Sequence, residues 1–214
     1  MVRVKICGIT RPEDAALAAE AGADAIGLVF AESPRRIDLE RATAIVGGLP
    51  PFVTPVALFV NETPQRMLDV CSRLRVRAVQ LSGDEPARVA EELVGQGIFT
   101  IKAFHVREAA DLAGIDAYPA QACLLDACVA GRYGGTGETF DWGLAARAAT
   151  AKPVILAGGL RPENVADAVR QVRPYAVDVS SGVEAEPGIK DAERVRAFVR
   201  AARSALGEGR PAVK

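Results

Sequence analysis

Cys7 and Asp126 stand at the ends of two predicted strands, the edge where ligands bind in α/β folds. Residues 2–7 alternate between apolar and polar types, so Arg3, Lys5 and Cys7 share one face of the first strand. Asp126 follows two leucines at the end of a later apolar run. Thiol and carboxyl groups can both transfer protons. A cysteine at a strand end is also commonly an inert, small apolar residue, so the surrounding residues must decide between the two interpretations.

Glycine- and serine-rich segments follow three late strands and are candidates for binding phosphate. They are residues 134–137 with Gly135 and Gly137, the pair Gly158 and Gly159, and the run Ser180, Ser181 and Gly182. Glycine permits close approach of backbone N–H groups to an anion. The alternative is that these glycines only form tight turns. Because two of the segments follow adjacent late strands, we favour phosphate binding by Gly158, Gly159, Ser180, Ser181 and Gly182.

Charged residues also lie within the predicted strands. Asp178 alternates with two valines and is expected to face the same interior as Lys5, and Lys102 is a candidate for that interior as well. A buried charge requires a partner, so we predict a Lys5–Asp178 ion pair. Arg35 and Arg36 follow the second strand and are either surface charges or ligands for a carboxylate.

Composition excludes several classes of protein. The chain of 214 residues carries a formal charge of −1, which gives no electrostatic argument for a nucleic-acid or membrane partner. It lacks an apolar run of the roughly 18 residues that span a bilayer. Four cysteines without a C-x-x-C motif and a single histidine, His105, argue against a metal site. We expect a cytoplasmic protein with reduced thiols, and we interpret His105 as a loop residue.

Short β-branched runs alternate with helical patterns along the whole chain. The predicted strands are 2–7, 25–30, 54–60, 77–81, 98–104, 122–126, 153–157 and 175–179. The predicted helices are 12–21, 39–48, 63–74, 86–95, 107–113, 142–149, 162–171 and 190–204. Eight such units predict an α/β fold, a (β/α)8 TIM barrel of parallel strands formed by residues 1–206, with a disordered tail at 207–214. An open, doubly wound sheet is the alternative.

The motifs together resemble phosphoribosylanthranilate isomerase, a (β/α)8 enzyme of tryptophan biosynthesis. The resemblance spans residues 5–191 and rests on a set of short matches in the family's order. They are Lys5-Ile6-Cys7-Gly8-Ile9-Thr10, Gly27-Leu28-Val29-Phe30, Ser33-Pro34-Arg35, Phe59-Val60-Asn61, Val79-Gln80-Leu81, Leu124-Leu125-Asp126, residues 134–137 with 140–142, Ala157-Gly158-Gly159-Leu160, Pro162-Glu163-Asn164-Val165, Asp178-Val179-Ser180-Ser181-Gly182-Val183-Glu184, Pro187-Gly188 and Lys190-Asp191.

The resemblance implies an activity and assigns roles. It implies an Amadori rearrangement of N-(5'-phosphoribosyl)anthranilate without a cofactor, with Cys7 as general base and Asp126 as general acid. The arginine that binds the anthranilate group falls on Arg35 rather than on Arg36. We further expect substrate contacts at Asp178, Gly135 and Gly137. The implied partner is this small molecule alone, and the protein is expected to be a monomer or homodimer.

One residue departs from the family pattern. The family commonly has Val-Gln-Leu-His-Gly after the fourth strand, whereas this chain has Ser82 in place of the histidine. If that histidine helps to hold the substrate carboxylate, substrate binding is weaker here. Two other functions stay open: a related barrel isomerase that also serves histidine biosynthesis, which would be expected to use two aspartates, and a phosphosugar-binding protein that has lost catalysis.

Overall fold

Eight parallel strands close into a barrel in chain order, from β1 to β8 and back to β1. The computed structural model describes residues 1–127, 142–148 and 150–206. The strands are β1 (Arg3–Ile6), β2 (Ala25–Val29), β3 (Thr54–Phe59), β4 (Ala78–Leu81), β5 (Phe99–Val106), β6 (Ala122–Ala127), β7 (Val154–Leu156) and β8 (Ala176–Val179). Pairing of β1 with β8, where Lys5 lies opposite Asp178, closes the ring. The predicted barrel is therefore confirmed, and the open sheet is excluded.

Within the described residues, an α-helix follows each barrel strand except β5. These helices are α1 (Pro12–Ala21), α2 (Leu39–Gly47), α3 (Pro64–Leu74), α4 (Ala87–Gly95), α5 (Trp142–Ala146), α6 (Val165–Val172) and α7 (Ala192–Ser204). Pro12 and Pro64 begin their helices, where the missing N–H has no intrahelical acceptor to lose. Gly22 ends α1 in the left-handed conformation. These local signals explain why the predicted boundaries fall close to the observed ones.

Two segments differ from the prediction. The fifth crossover, predicted as a helix over 107–113, contains only a short 3₁₀ helix (Ala109–Leu112). A hairpin that was not predicted, β9 (Glu184–Glu186) with β10 (Ile189–Lys190), follows β8 and a 3₁₀ turn (Ser181–Val183). It brings residues beyond the last barrel strand back to the carboxyl edge of the barrel. The predicted tail at 207–214 lies outside the described residues.

The barrel strands divide the core into two layers. Alternate residues of the strands, such as Ile101 and Ala103 of β5 with Ala122 and Leu124 of β6, form an inner cluster. The intervening residues pack with the helices in a larger outer cluster. By this alternation Lys5 and Asp178 face the interior, as predicted.

The prediction for Lys102 is wrong. Lys102 has the opposite parity to Ile101 and Ala103 and so points away from the barrel interior. Its ammonium group instead binds the carboxylate of Glu85 at 2.8 Å, in the loop after β4.

Within the described residues, no helix is both long and apolar enough to cross a membrane.

Candidate active site

Cys7 lies directly after β1 at the carboxyl edge of the barrel, and its side chain is buried. Its backbone N–H donates to the carbonyl of Val179 at 2.8 Å, which continues the pairing of β1 with β8. Gly27 of β2 lies alongside the thiol. A Cβ placed on Gly27 would lie 2.6 Å from Cys7 Sγ and 3.2 Å from Lys5 Nζ. The glycine therefore creates the space that the thiol and the ammonium group occupy.

Lys5 and Asp178 form a buried ion pair beneath Cys7, with Nζ and Oδ1 2.8 Å apart. Burial lowers the pKa of Lys5, but the carboxylate of Asp178 and the Cys7 sulfur raise it more, so the lysine stays charged. Burial raises the pKa of the Cys7 thiol, and Lys5 and Lys190 offset only part of this increase. Cys7 is therefore a thiol at rest, next to a cation that stabilises the thiolate when it forms.

Asp126 lies on the inner face of β6, two residues beyond Leu124 of the inner cluster. It is half-buried and stands opposite His105 of β5 in the strand register. His105 is thus a residue of the barrel rim at the end of β5. The interpretation of His105 as a loop residue is wrong. Strands β7 and β8 separate Asp126 from the strand that carries Cys7.

Glu184 of the hairpin connects two cations at this edge of the barrel. It accepts two hydrogen bonds from Arg35, from Nε at 2.7 Å and from Nη2 at 2.6 Å. It also accepts one from the buried ammonium group of Lys190 at 2.8 Å. Burial raises the pKa of Glu184, but Arg35 and Lys190 together lower it by more than burial raises it. The net shift is downward, so the group is a carboxylate. Glu184 thereby engages the Nε/Nη2 edge of the Arg35 guanidinium, which is one of its two bidentate edges.

Arg36 instead lines an open pocket of about 510 Å³ between the loops after β2 and β3. Phe30 and Phe59 stack beside it with ring centroids 5.4 Å apart. Two acidic residues, Glu32 and Glu62, also line the pocket. Phe59 is buried and Phe30 is half-buried, so Phe30 offers the apolar surface on which an aromatic ring can pack while its carboxylate meets the Arg36 guanidinium group.

The loops after β7 and β8 contact each other closely. A Cβ on Gly182 would overlap the carbonyl oxygen of Leu160, so this approach requires glycine. Gly158 and Gly159 both have positive φ angles, 83° and 63°. Asn164 fixes the first loop by donating to the carbonyl of Gly159 at 3.0 Å. The backbone N–H groups of Gly159 and Gly182 donate to no acceptor within 1–127, 142–148 and 150–206, which suits a phosphate ligand.

Other predicted site residues fall elsewhere. Gly135 and Gly137 lie outside the described residues. Ser82 follows β4, and its hydroxyl accepts a hydrogen bond from Gln80 Nε2 at 3.0 Å. The structure thus brings Cys7, Asp178 and the two late loops to one edge, with Asp126 on the inner face of that edge.

Sequence reasoning assigned no role to Gly27, Glu184 or Lys190. The two charged residues are almost fully buried, and their only sequence signal was a place in the matched motifs beyond β8. Gly27 could have been found from its position opposite Cys7 on the next strand, since glycine inside a strand often marks a close approach.

Comparisons with known proteins agree on one family. A sequence model described as N-(5'phosphoribosyl)anthranilate (PRA) isomerase matches residues 4–201. The N-(5'-phosphoribosyl)anthranilate isomerase of Geobacter sulfurreducens is 53% identical over 204 residues, which cover 95% of this chain and 99% of that protein. The phosphoribosyl anthranilate isomerase structure from Thermotoga maritima has a TM-score of 0.90 at 45% identity, covering 95% of this chain and all of that one.

A second solved structure contains a ligand. It is a phosphoribosyl anthranilate isomerase in complex with reduced 1-(o-carboxyphenylamino)-1-deoxyribulose 5-phosphate. It matches with a TM-score of 0.85 at 44% identity and covers 95% of this chain and 100% of that chain.

Proposed function

Since the chain belongs to the N-(5'-phosphoribosyl)anthranilate isomerase family, we propose that it catalyses the family's Amadori rearrangement in tryptophan biosynthesis. The substrate is N-(5'-phosphoribosyl)anthranilate, and the product is 1-(2-carboxyphenylamino)-1-deoxyribulose 5-phosphate. The observation that carries this proposal is the order of groups around the barrel edge. The loops after β7 and β8, which carry the backbone N–H groups of Gly159 and Gly182, lie between the strand of Asp126 and the strand of Cys7. A phosphate held there places the sugar between an acid and a base.

Two proton transfers account for the reaction. Asp126, as general acid, protonates the ribose ring oxygen, and the ring opens to an iminium ion. The iminium makes the C2' proton acidic, and the Cys7 thiolate removes it. The resulting enolamine tautomerises to the ketone, so C1' is reduced as C2' is oxidised. The atoms balance within the substrate, and this sequence needs no cofactor.

The electrostatic surroundings of Cys7 support its role as base. Lys5 lies beside the thiol and is fixed by Asp178 at 2.8 Å. The pKa of Cys7 is still raised, mainly by burial, so only a small share of the free enzyme carries the thiolate. A thiolate of high pKa is also a strong base once it forms, which suits abstraction of a proton from carbon.

We assign recognition of the anthranilate carboxylate to Arg36. The resemblance placed this role on Arg35, but the Arg35 guanidinium is bonded through Nε and Nη2 to the buried Glu184. Arg36 faces the open pocket beside Phe30 and Phe59. In this assignment Arg35 acts indirectly, because it holds the hairpin that carries Glu184 and Lys190.

Turnover of the substrate tests the proposed function. Phosphoribosylanthranilate added to purified protein should lose its anthranilate fluorescence at a rate proportional to enzyme. The related aminoaldose of histidine biosynthesis, assayed in parallel, should remain unconverted, because Cys7 stands where a dual-substrate enzyme is expected to use an aspartate. Unchanged fluorescence would support a non-catalytic phosphosugar-binding protein, and conversion of both substrates would support the dual-function isomerase.

The cellular location, the partners and the oligomeric state of the enzyme are also part of the proposal. A formal charge of −1 offers no attraction to nucleic acid or to an anionic membrane surface. We place the protein in the cytoplasm, as a monomer or homodimer that acts on a small molecule.

A further inference from the structure

We propose that His105, the only histidine of the chain, is a positioning residue for the carboxyl group of Asp126. The first argument is its orientation. β5 runs from Phe99 to Val106 and places Ile101 and Ala103 in the inner cluster of the barrel. Because side chains alternate along a strand, His105 points to that same interior at the carboxyl edge. The flanking Phe104 and Val106 pack in the outer cluster, which agrees with this alternation.

The second argument is the register between β5 and β6. His105 lies directly opposite Asp126, and Leu124 lies opposite Ala103 on the same inner face. Neighbouring strands are roughly 4.8 Å apart, so side chains of paired residues on one face are in reach of each other. Both His105 and Asp126 are half-buried. The imidazole is therefore the aromatic neighbour of the proposed general acid on the adjoining strand.

The third argument is that the imidazole is held in place. The backbone carbonyl of Ser82, at the end of the neighbouring strand β4, raises the pKa of the ring, as an acceptor for one ring N–H does. Ser82 is itself fixed, because its N–H donates to the carbonyl of Phe59 at 2.9 Å. One ring nitrogen thus carries the proton for Ser82, and in the neutral ring the other nitrogen can only accept.

The charge state of the ring fits this role. Burial lowers the pKa of His105, and although the Ser82 carbonyl and Asp84 oppose this, Lys102 and Arg107 lower it further. In the free enzyme the unprotonated nitrogen of the neutral ring accepts a hydrogen bond from the protonated carboxyl of Asp126 and so fixes the orientation of that side chain. When substrate binds, the single carboxyl proton turns from the ring nitrogen to the ribose oxygen, and His105 itself exchanges no proton.

This inference rests on the proposed role of Asp126 as general acid. A double-mutant cycle tests the role of Asp126 and the role of His105 separately. The variants are His105→Ala, His105→Gln, Asp126→Asn and the His105→Ala/Asp126→Asn double variant. Glutamine keeps both a donor for Ser82 and an acceptor for Asp126. We expect His105→Ala to lower kcat by about 10- to 100-fold with KM changed by less than about threefold. His105→Gln should recover most of the loss.

The Asp126→Asn background gives the deciding comparison. If His105 acts through Asp126, removing the imidazole there should lower kcat by less than about threefold, because the acid is already absent. An equal loss in both backgrounds, or a wild-type kcat for His105→Ala, would overturn the positioning role. Wild-type turnover by Asp126→Asn would instead refute the proposed mechanism itself. Circular dichroism checks the fold, and if the alanine variant does not fold, the same cycle is made with His105→Phe, which keeps the ring but cannot form hydrogen bonds. A loss independent of Asp126 in that cycle would again contradict the role.

Discussion

At the scale of residues, the proposed chemistry depends on how little space surrounds Cys7. Its thiol is buried, Lys5 lies beside it, and the missing side chain of Gly27 leaves room for both. Lys5 is held by Asp178 and cannot move aside without breaking a buried ion pair. The proposed base is therefore positioned by packing on one side and by charge on the other.

Replacement of Gly27 by alanine should test this packing. The new Cβ would lie 2.6 Å from Cys7 Sγ, so the sulfur must shift. Misplacement of a reacting group by about 1 Å can lower the rate about 100-fold, and we expect a loss of that order in kcat. Gly95→Ala is the matched control, since a Cβ at the end of α4 meets no atom within 4 Å. A wild-type kcat for Gly27→Ala, measured by fluorescence turnover, would contradict the account.

Alanine variants of Arg36 and Arg35 should separate an effect on substrate binding from an effect on stability. Arg36→Ala removes a guanidinium group from the open pocket, and a hydrogen bond to a charged group is worth about 1.5–3 kcal/mol. We expect KM to rise at least about tenfold with Tm unchanged. Arg35→Ala should instead lower Tm, because Glu184 loses two hydrogen bonds while buried. Steady-state kinetics and thermal melts of both variants test this assignment. A large KM increase confined to Arg35→Ala would show that Arg35, not Arg36, binds the anthranilate carboxylate.

At the scale of elements, the buried carboxylate of Glu85 connects the loops after β3 and β4 with strand β5. Glu85 in the loop after β4 accepts hydrogen bonds from the N–H groups of Asn61 at 2.9 Å and Gly83 at 3.0 Å. It also pairs with Lys102 of β5, which donates to the carbonyl of Gly83 as well. The loops after β3 and β4 are thereby fixed to β5, next to the rim that carries Ser82 and His105.

Loss of the Glu85 charge should destabilise the barrel. Glu85→Gln leaves the Lys102 ammonium group buried without a carboxylate, which typically costs about 3–5 kcal/mol. For a chain of this size we expect Tm to fall by on the order of 10 °C. The double variant Glu85→Gln/Lys102→Met removes the unpaired cation and should recover part of the loss. A Tm of Glu85→Gln equal to wild type in calorimetry would show that the pair is not needed.

The sequence predicted the elements well where periodicity was clear and failed where it was ambiguous. Strong helical patterns with proline starts gave boundaries for α1 and α3 that fall within a residue of those observed. The facing of Lys102 could not be read, because both faces of β5 carry apolar residues. The β9–β10 hairpin was missed since its two strands have only three and two residues. Short strands of this kind depend on tertiary contacts, which here include Glu184 with Arg35.

At the scale of the whole molecule, the alternation of strand and helix patterns indicated the fold, the matched motifs indicated the proposed chemistry, and the sequence predicted only part of the internal charge balance. The Lys5–Asp178 pair was predicted, since a charge inside a barrel requires a partner. The bonding of Arg35 to Glu184 could not be predicted, because 149 residues separate them in the chain. His105 was interpreted as a loop residue because the predicted strand ended at residue 104, whereas β5 continues to Val106.

Stability should depend on pH in two separate ranges. The pKa of His105 is lowered mainly by burial, so as pH falls the unfolded chain, with a histidine pKa of about 6.5, binds a proton first. Stability therefore falls as pH drops through about 6.5. The pKa values of Glu85 and Glu184 are lowered because their cation partners outweigh burial, so their contribution is complete above about 4.3 and lost below it.

Calorimetric melts from pH 8 to pH 3 measure this dependence. The wild type should lose Tm in both ranges, whereas His105→Gln should keep a constant Tm in the upper range and lose it only in the lower one. An identical decline near pH 6.5 in both proteins would show that another group is responsible.

The central claim is that Cys7 and Asp126 carry out the two proton transfers, and the turnover of Cys7→Ala and Asp126→Asn tests it most directly. Each group is expected to contribute roughly 10²–10⁴-fold to the rate. Both variants should therefore lose at least about 99% of kcat in the fluorescence assay while their circular dichroism and Tm stay close to wild type. Either folded variant retaining near-normal turnover of phosphoribosylanthranilate would contradict the account.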